Sequence, residues 1–382
     1  MGIAPLFLKN RLVRDPATAN DGHESRLSTN PLGTTHQKQS RPRSALTSLL
    51  ALAILFGFGW FAWQHYSTFA WSRFFQAFGL INRYWFIAGV LAAFASFTVR
   101  AVRWQALMLP ARSSFRSVWQ ATFIGCSACV ILGRAGELVR PFLIARRERT
   151  EFSLQAGIWV LERLYDFLVI LALFGIGISR ARKLGVSPDS PLESILRIGG
   201  WIVFAGAALT AGFLILVGPH AESLQRRLAH FLSFLPPARV QTIIRVLNSF
   251  LSGARIGGGT FTVLLTIAWS AVEWLLILAA YWCYFQAFPP TEDIALLDVA
   301  GFLGFIGLGG IIQLPGIGGG MQMASLIVLT ALFRLPVEAA TGFTLLIWVG
   351  TTLVVLPFGI PLVLIQGLNL KQISTLRDQN TL

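Results

Sequence analysis

The sequence predicts an all-α integral membrane protein with about six spanning helices and two re-entrant helical hairpins in inverted orientation. Three observations support this fold class. Hydrophobic residues make up 54% of the 382 residues and charged residues only 13%, with a mean hydropathy of +0.65, which excludes an ordinary soluble domain. Apolar runs of about 20 residues, enough to cross a bilayer, recur along the chain. Two further apolar regions are interrupted by glycine, proline and charge.

The first 43 residues differ in kind from the rest of the chain. They are polar and basic and lack the apolar core and cleavage site of a signal peptide, so they predict a disordered basic cytoplasmic tail. The formal charge of +14 lies in this tail and in short loops. Membrane topology and anionic lipid explain this charge better than nucleic acid, which we do not expect as a partner. Residues 368–382 predict a short cytoplasmic C-terminal tail.

Six apolar runs predict membrane spans: residues 44–64, 84–108, 153–179, 199–218, 261–285 and about 337–365. The last run can be broken by its two prolines, Pro357 and Pro361. Two regions do not fit this pattern. In 117–148, an apolar stretch precedes Gly133 and a second one ends in a cluster of arginines. In 294–333, two apolar stretches are joined by "LPGIGGG".

The distribution of positive charge orients these segments, because Lys and Arg concentrate in cytoplasmic loops. A full crossing by 117–133 would place Arg146, Arg147 and Arg149 outside, whereas a hairpin that enters and returns keeps them inside. The region 294–333 then enters from the opposite face, and both termini are cytoplasmic. Inverted hairpins of this kind place transporter sites near the midplane. The loop 180–197 is also basic, so eight ordinary spans are the alternative.

Charged residues inside the apolar runs indicate a polar site, since each costs about 2.5–3.5 kcal/mol at a helix centre. Glu162 and Asp166 share a helix face, and Arg163 precedes Asp166 by three residues and can pair with it. Glu273 stands in the middle of a predicted span and needs a cationic partner or a proton. We expect Arg134 or Arg163 as this partner. The alternative is a buried ion cluster that only fixes helix packing.

A second group of charges lies in "GRAGELVRP", where Arg134, Glu137 and Arg140 are spaced by three. The flanking glycines let the backbone turn and expose its N–H groups. A helix beginning near Glu137 would direct its positive end to the same place. The alternative for the two arginines is an interfacial pair that snorkels to lipid phosphate.

Two other sets of side chains predict no chemistry. Arg100 and Arg103 are expected to snorkel beside an interfacial Trp104. The three cysteines lie in apolar runs, which favours packing over a redox or zinc role; they are Cys126, Cys129 and Cys283.

The loop "QLPGIGGGMQ" (313–322) is the second unusual element. Proline and four glycines cannot continue a helix, and irregular backbone at membrane depth is tolerated only against protein or a wet cavity. Successive glycine N–H groups can form an anion nest, next to a helix starting near Met321. The candidate binding residues here are Pro315, Gly316, Gly318, Gly319 and Gln322. The alternative is a simple helix break.

Three stretches resemble, in order, the flippase-like transmembrane region of bacterial lysylphosphatidylglycerol synthases and its stand-alone relatives: "VRWQAL", "GRAGELVRPFLIARRERTEFSLQAGIWVLERLYDFL" and "LPGIGGGMQMASLIVLTALFRLPVEAA". The resemblance covers about residues 45 to 365 and implies a flippase-like transmembrane domain over 44–367. It also implies a bacterial inner-membrane protein that moves an amphipathic lipid between leaflets, with some relatives linked to glycolipid or hopanoid pathways. The shared polar residues would be Arg134, Gly136, Glu137, Arg140, Glu162, Arg163, Asp166, Pro315 and Gly316.

The sequence departs from this family pattern in two ways. Many members have Glu shortly after the Pro-Gly-Gly loop, where this chain has Gln322. The sequence contains no soluble acyltransferase-like domain, so we expect no aminoacylation of phosphatidylglycerol.

The function hypothesis is a phospholipid or glycolipid translocase with a polar headgroup cavity at the two hairpin tips. Three arginines would bind the phosphate, namely Arg134, Arg140 and Arg163. The carboxylates of Glu137, Glu162, Asp166 and Glu273 would balance these charges, contact a cationic headgroup or carry protons. No Walker motif is present, and we expect no ATP hydrolysis, metal or other cofactor. The partners would be membrane lipids with anionic or zwitterionic headgroups.

Two rival hypotheses come from other classes. In the first, the chain is a membrane-embedded enzyme or accessory subunit acting on a lipid-linked sugar or polar lipid, with Glu162 and Asp166 in acid/base roles. In the second, it is a scaffold whose charges only hold helices together. A homo-oligomer or a lipid-biosynthesis partner is also open, since the face "GFLGFIGLGG" permits close helix contacts.

Overall fold

The computed structural model describes residues 69–109, 113–183, 198–201, 205–209, 241, 259–311, 313–314 and 318–365. The predicted span 44–64 and both predicted tails lie outside the described residues, as does most of the predicted span 199–218. The helices treated below are α1 Trp71–Gly79, α2 Arg83–Leu107, α3 Phe115–Leu132, α4 Val139–Glu148, α5 Phe152–Lys183, α6 Gly259–Ala287, α7 Leu296–Gly309, α8 Gly320–Ile327, α9 Val337–Thr351 and α10 Leu356–Ile365.

Five helical segments are long and apolar enough to cross a membrane: Arg83–Leu107, Phe115–Arg147, Phe152–Ala181, Phe261–Ala287 and Val337–Ile365. Shorter apolar helices include Leu296–Gly309 and Gly320–Leu332. The all-α membrane class is therefore confirmed. The last span is interrupted at the 3₁₀ turn Leu353–Val355, before the predicted break positions, since Pro357 and Pro361 both lie within α10. The number of spans stays a prediction.

The helices α2 and α6 form a long antiparallel pair. Near the start of α2, a Cβ on Gly89 would lie 2.5 Å from the ring of Tyr284, which excludes a larger residue. Three turns further along α2, Arg100 meets Glu273, with 2.7 Å between Arg100 Nε and Glu273 Oε1. The later residue of α2 thus contacts the earlier residue of α6, as expected for antiparallel helices. This register brings the charged part of α2 to the centre of α6.

The helices α5 and α7 also pack antiparallel, through glycines. A Cβ on Gly301 would lie 2.6 Å from Gly177 Cα, and a Cβ on Gly304 would overlap the backbone of Phe174. Small residues at such positions let two helix backbones approach closely. The glycine-rich face of "GFLGFIGLGG" is thus used inside the chain, against α5.

The first hairpin consists of α3, the 3₁₀ turn Gly133–Leu138 and α4. Its arms run antiparallel: Gly125 lies against Arg140, and Arg147 Nη1 donates to the carbonyl of Ser117 at 2.9 Å. The chain reverses after Gly133, whose φ of 62° favours glycine. The returning arm α4 has 10 residues, about 15 Å of helix, which is half of the hydrocarbon core of about 30 Å.

The second hairpin joins α7 to α8 through two short strands, β1 Gln313–Leu314 and β2 Gly318–Gly319. The strands pair antiparallel, with Gln313 opposite Gly319. Behind the ladder the two helices touch, since a Cβ on Gly309 would lie 2.6 Å from Ala324 Cβ. After α8 the arm continues as the π-helical segment Val328–Leu332.

The two hairpins open toward opposite ends of α5. The first hairpin ends at Glu148, four residues before α5 begins. At the other end of α5, Arg180 Nε lies 2.7 Å from Asp298 Oδ1, in the first turn of α7. This arrangement has the inverted geometry that the charge distribution predicts. Re-entrance of both hairpins into the bilayer stays a prediction, supported by the shortness of α4, α7 and α8; α3, with 18 residues, is nearly as long as a full span.

Candidate functional site

A buried ion-pair network joins α2, α4, α5 and α6. At its centre is Arg103, whose side chain is 0% exposed. Its Nη2 lies 2.7 Å from Glu162 Oε1, its Nη1 2.7 Å from Asp166 Oδ1 and its Nε 3.2 Å from Glu273 Oε2. One guanidinium group on α2 therefore faces three carboxylates carried by α5 and α6.

Three other arginines contact the same carboxylates. The N–O distances are 2.7 Å for Arg100 to Glu273, 3.1 Å for Arg140 to Glu162 and 2.9 Å for Arg163 to Asp166. Four guanidinium groups thus share three carboxylates, so that the ionised network carries one positive charge in excess. A buried excess charge is costly unless a further anion or water reaches it.

Aromatic side chains support the network from two sides. Trp274 Nε1 donates to Asp166 Oδ1 at 3.3 Å. The guanidinium carbon of Arg140 lies 4.1 Å from the ring centroid of Trp104, a cation–π geometry, and Trp104 Nε1 donates to Gln155 Oε1 at 3.0 Å. These contacts orient the charged groups and limit the water that reaches them.

Two cavities adjoin the network within the described part of the chain, a smaller one of about 330 Å³ and a larger one of about 880 Å³. Both are lined by Arg100, Glu137, Trp159, Arg163, Ile277, Tyr281 and Met321. The side chains of Arg100 and Arg163 are 20% and 33% exposed, whereas those of Glu162 and Glu273 are 0% exposed. The shared wall therefore presents guanidinium groups, and the carboxylates of the network lie mostly behind them.

The tips of the two hairpins meet beside this wall. Arg134 Nη2 donates to the carbonyl of Gly310 at 2.8 Å and its Nε to that of Ile311 at 3.2 Å, where a cation stabilises the carbonyl end of α7. Arg134 Nη1 also lies 2.7 Å from Glu137 Oε1. Glu137 Oε2 is buried without a hydrogen-bond partner among the described residues, so this oxygen is available to a donor in either cavity.

Residues 48–359 match the family model described as "Lysylphosphatidylglycerol synthase TM region". The chain belongs to this family. The match includes every residue of the network and both hairpins. No curated protein and no solved structure matches the chain. Membership of the lysylphosphatidylglycerol synthase TM-region family indicates a membrane protein with a lipid-related role.

The family motif Glu-Arg-x-x-Asp provides two carboxylates and one cavity-facing arginine of the network. The predicted pairing of Arg163 with Asp166 is confirmed by their 2.9 Å contact. The predicted partner of Glu273 is wrong, because Glu273 pairs with Arg100 and Arg103 rather than with Arg134 or Arg163. The antiparallel register of α2 and α6 explains this choice.

The prediction that Arg100 and Arg103 snorkel beside an interfacial tryptophan is wrong. Arg103 and Trp104 are fully buried, and Arg100 reaches toward the protein interior. Snorkelling is also wrong for Arg140, which is buried against Glu162 and Trp104. A signal was present in the sequence: three carboxylates in apolar runs need cations, and the two arginines of "VRAVRW" are one helical turn apart.

The glycine-rich loop is only partly described. Pro315 and Gly316 lie outside the described residues, and Gly318 and Gly319 form β2. The side-chain amide of Gln322 is buried and has no hydrogen-bond partner among the described residues. Gln322 is not among the residues that line the two cavities. A binding role for these five residues stays a prediction.

Both helices predicted at the hairpin tips begin close to the expected positions. The one expected near Glu137 begins at Val139, after the 3₁₀ turn, and the one expected near Met321 begins at Gly320. Among the cysteines, Cys126 and Cys129 line the smaller cavity. Within the described ranges, no group of three or more His, Cys, Asp or Glu residues has an arrangement that would hold a metal ion.

Proposed function

We propose that this chain is a lipid translocase of the bacterial inner membrane, which moves a lipid with an anionic or zwitterionic headgroup between leaflets. The observation that carries this proposal is the cationic wall shared by the two cavities. Arg100 and Arg163 are partly exposed there, and the network that includes them has four guanidinium groups for three carboxylates. A phosphate on this wall would complete the charge balance with charge-assisted hydrogen bonds.

In this proposal, the individual arginines have different roles. Arg100 and Arg163 contact the phosphate because they line both cavities. Arg140 positions Glu162 from the opposite side, and Arg134 holds the two hairpin tips together. The partners of the side chains support these roles: Arg134 is 46% exposed and lines the larger cavity, but it already pairs with Glu137 and donates to two carbonyls of the second hairpin tip.

Glu137 completes the headgroup site in this proposal. Its Oε2 has no hydrogen-bond partner among the described residues, and its side chain lines both cavities. This oxygen would accept a hydrogen bond from an ammonium or hydroxyl group of the lipid. The proposal takes both hairpins as re-entrant and both chain termini as cytoplasmic, so that the site lies within the membrane, where the headgroup needs such polar contacts.

The enzyme hypothesis has less support from the geometry. Glu162 is fully buried and is contacted by arginines from three helices, and Asp166 is contacted by Arg103 and Arg163. A general acid or base must reach the proton that it transfers. Lipid profiling of a deletion strain separates the two functions: a missing lipid species indicates an enzyme, and an intact species in the wrong leaflet indicates a translocase.

The test of the proposal is lipid transfer in proteoliposomes, measured by leaflet-specific chemical reduction of a fluorescent phospholipid. The protein should accelerate transfer relative to empty vesicles. Arg163→Gln removes one charged hydrogen bond to the phosphate, worth about 1.5–3 kcal/mol, and should slow transfer about tenfold or more.

The matched control is Arg180→Gln, which removes an arginine of the same helix that pairs with Asp298 away from the cavities. This variant should keep the rate of the unmodified protein. Transfer no faster than in empty vesicles, or equal rates for the two variants, would overturn the proposal.

A further inference from the structure

The larger cavity extends from the cationic wall between α5 and α7. Its volume of about 880 Å³ lies in the range of roughly 300–1,000 Å³ that is usual for ligand pockets. Away from the wall, it is lined by apolar residues and glycine of these two helices: Leu164, Phe167, Ile170, Leu303, Ile306 and Gly307. We call this part the apolar chamber.

The chamber has a charged end and an apolar end. Arg163 and Asp166 line the cavity near the start of α5, and Ile170 lies seven residues after Arg163. At 1.5 Å per residue, this segment of α5 covers about 10 Å. Because α7 runs antiparallel to α5, Gly310 at the C-cap of α7 lies toward the charged end of the cavity, and Leu303 lies toward the apolar end.

We infer that the apolar chamber binds the hydrocarbon chain of an anionic amphiphile whose phosphate contacts Arg100 and Arg163. This inference rests on the proposed function and narrows its substrate class. The two parts of the cavity indicate the occupant: a molecule filling both carries an anion at one end, against Arg100 and Arg163, and an apolar chain at the other. The first segment of the chain is then enclosed by protein, while the rest stays in the bilayer.

An enclosed hydrocarbon chain makes affinity depend on chain length, which a site for the headgroup alone does not. If the chain is enclosed, affinity rises with chain length until the chamber is filled. In water, burial of one methylene contributes up to about fourfold in affinity. If only the headgroup is bound, affinity is the same for short and long chains.

The experiment measures binding of inorganic phosphate and of butyl, hexyl, octyl and decyl phosphate to the full chain by calorimetry, in a non-ionic detergent. The expected result is weak binding of inorganic phosphate and a stepwise gain with each longer chain. Leu164→Trp fills the chamber and should abolish the gain. Leu91→Trp is the matched control, because Leu91 is exposed on α2 and does not line the chamber.

A second variant keeps the test decisive if Leu164→Trp does not fold. A Cβ on Gly307 would lie 3.1 Å from the side chain of Ile170, so Gly307→Ala narrows the chamber mildly and should reduce the gain. If affinity is independent of chain length, or if both chamber variants keep the full gain, the chamber does not bind the chain. Either result would leave the proposed translocase function standing. The proposed function would be overturned as well if no phosphate bound and if Arg163→Gln did not slow lipid transfer in proteoliposomes.

Discussion

Arg103 Nη2 and Glu162 Oε1 lie 2.7 Å apart, and both side chains are fully buried. The two residues come from α2 and α5, and Arg103 also contacts Asp166 and Glu273. Two helices that carry carboxylates are thereby held against one that carries arginines. This central pair also determines which charges are left to face the cavities.

The first prediction concerns the stability of this network. Arg103→Met removes the guanidinium group that contacts all three buried carboxylates, and removal of one partner of a buried pair typically costs about 3–5 kcal/mol. We expect a clearly lower denaturation temperature, measured as the temperature at which heating removes half of the monodisperse peak of the purified protein in size-exclusion chromatography. Glu162→Gln should lower this temperature as well, because Arg103 and Arg140 then lose a charged acceptor.

The control for this prediction is an ion pair at the end of a helix. Arg180 is partly exposed and pairs with Asp298, so Arg180→Gln should change stability little. The double variant Arg103→Met with Glu162→Gln should lose less than the sum of the two single losses. Additive losses would show that the two residues are not coupled.

The second prediction concerns the glycine contact between α5 and α7. In Gly304→Ala the new methyl group would overlap the backbone of Phe174, and overpacking of this kind costs about 1–3 kcal/mol. We expect a lowered denaturation temperature in the same heating assay. Gly175→Ala is the matched control, because no atom lies within 4 Å of its Cβ position and alanine favours the helix. Equal temperatures for the two variants would contradict the close packing.

The third prediction concerns the direction of the first hairpin. If α3 and α4 enter the membrane and return, both of their open ends face the cytoplasm. Single cysteines at Arg116→Cys and Arg147→Cys, in a chain whose native cysteines are replaced by serine, should then react with a membrane-impermeant maleimide only from inside. Reaction of Arg147→Cys from outside would favour ordinary spans and remove the basis of the re-entrant model.

Much of the fold is predictable from the sequence because the length and hydropathy of a segment are local properties. The predicted spans 84–108, 153–179 and 261–285 agree closely with Arg83–Leu107, Phe152–Ala181 and Phe261–Ala287. The turn at Gly133 is predictable too, since glycine and charge interrupt an apolar run there. The short β ladder at Gln313–Gly319 is not, because its pairing depends on how α7 and α8 approach each other.

The candidate site is less predictable, because pairing between helices depends on register. Glu162, Arg163 and Asp166 share a helix, so their proximity follows from spacing alone. The partners Arg100 and Arg103 lie about 60 residues earlier, and no local pattern assigns them to these carboxylates. Their charge was visible in the sequence, but its burial was not.

The sequence by itself determined that this chain is a helical membrane protein of the lysylphosphatidylglycerol synthase TM-region family, and that its apolar segments carry arginines and carboxylates. Hydropathy and motif spacing are sufficient for these conclusions. The tertiary structure alone decided which charges neutralise each other and which face a cavity. The physical reason is that the exposure of a charged group depends on the register of α2 against α5 and α6, and this register results from packing along the whole length of the helices.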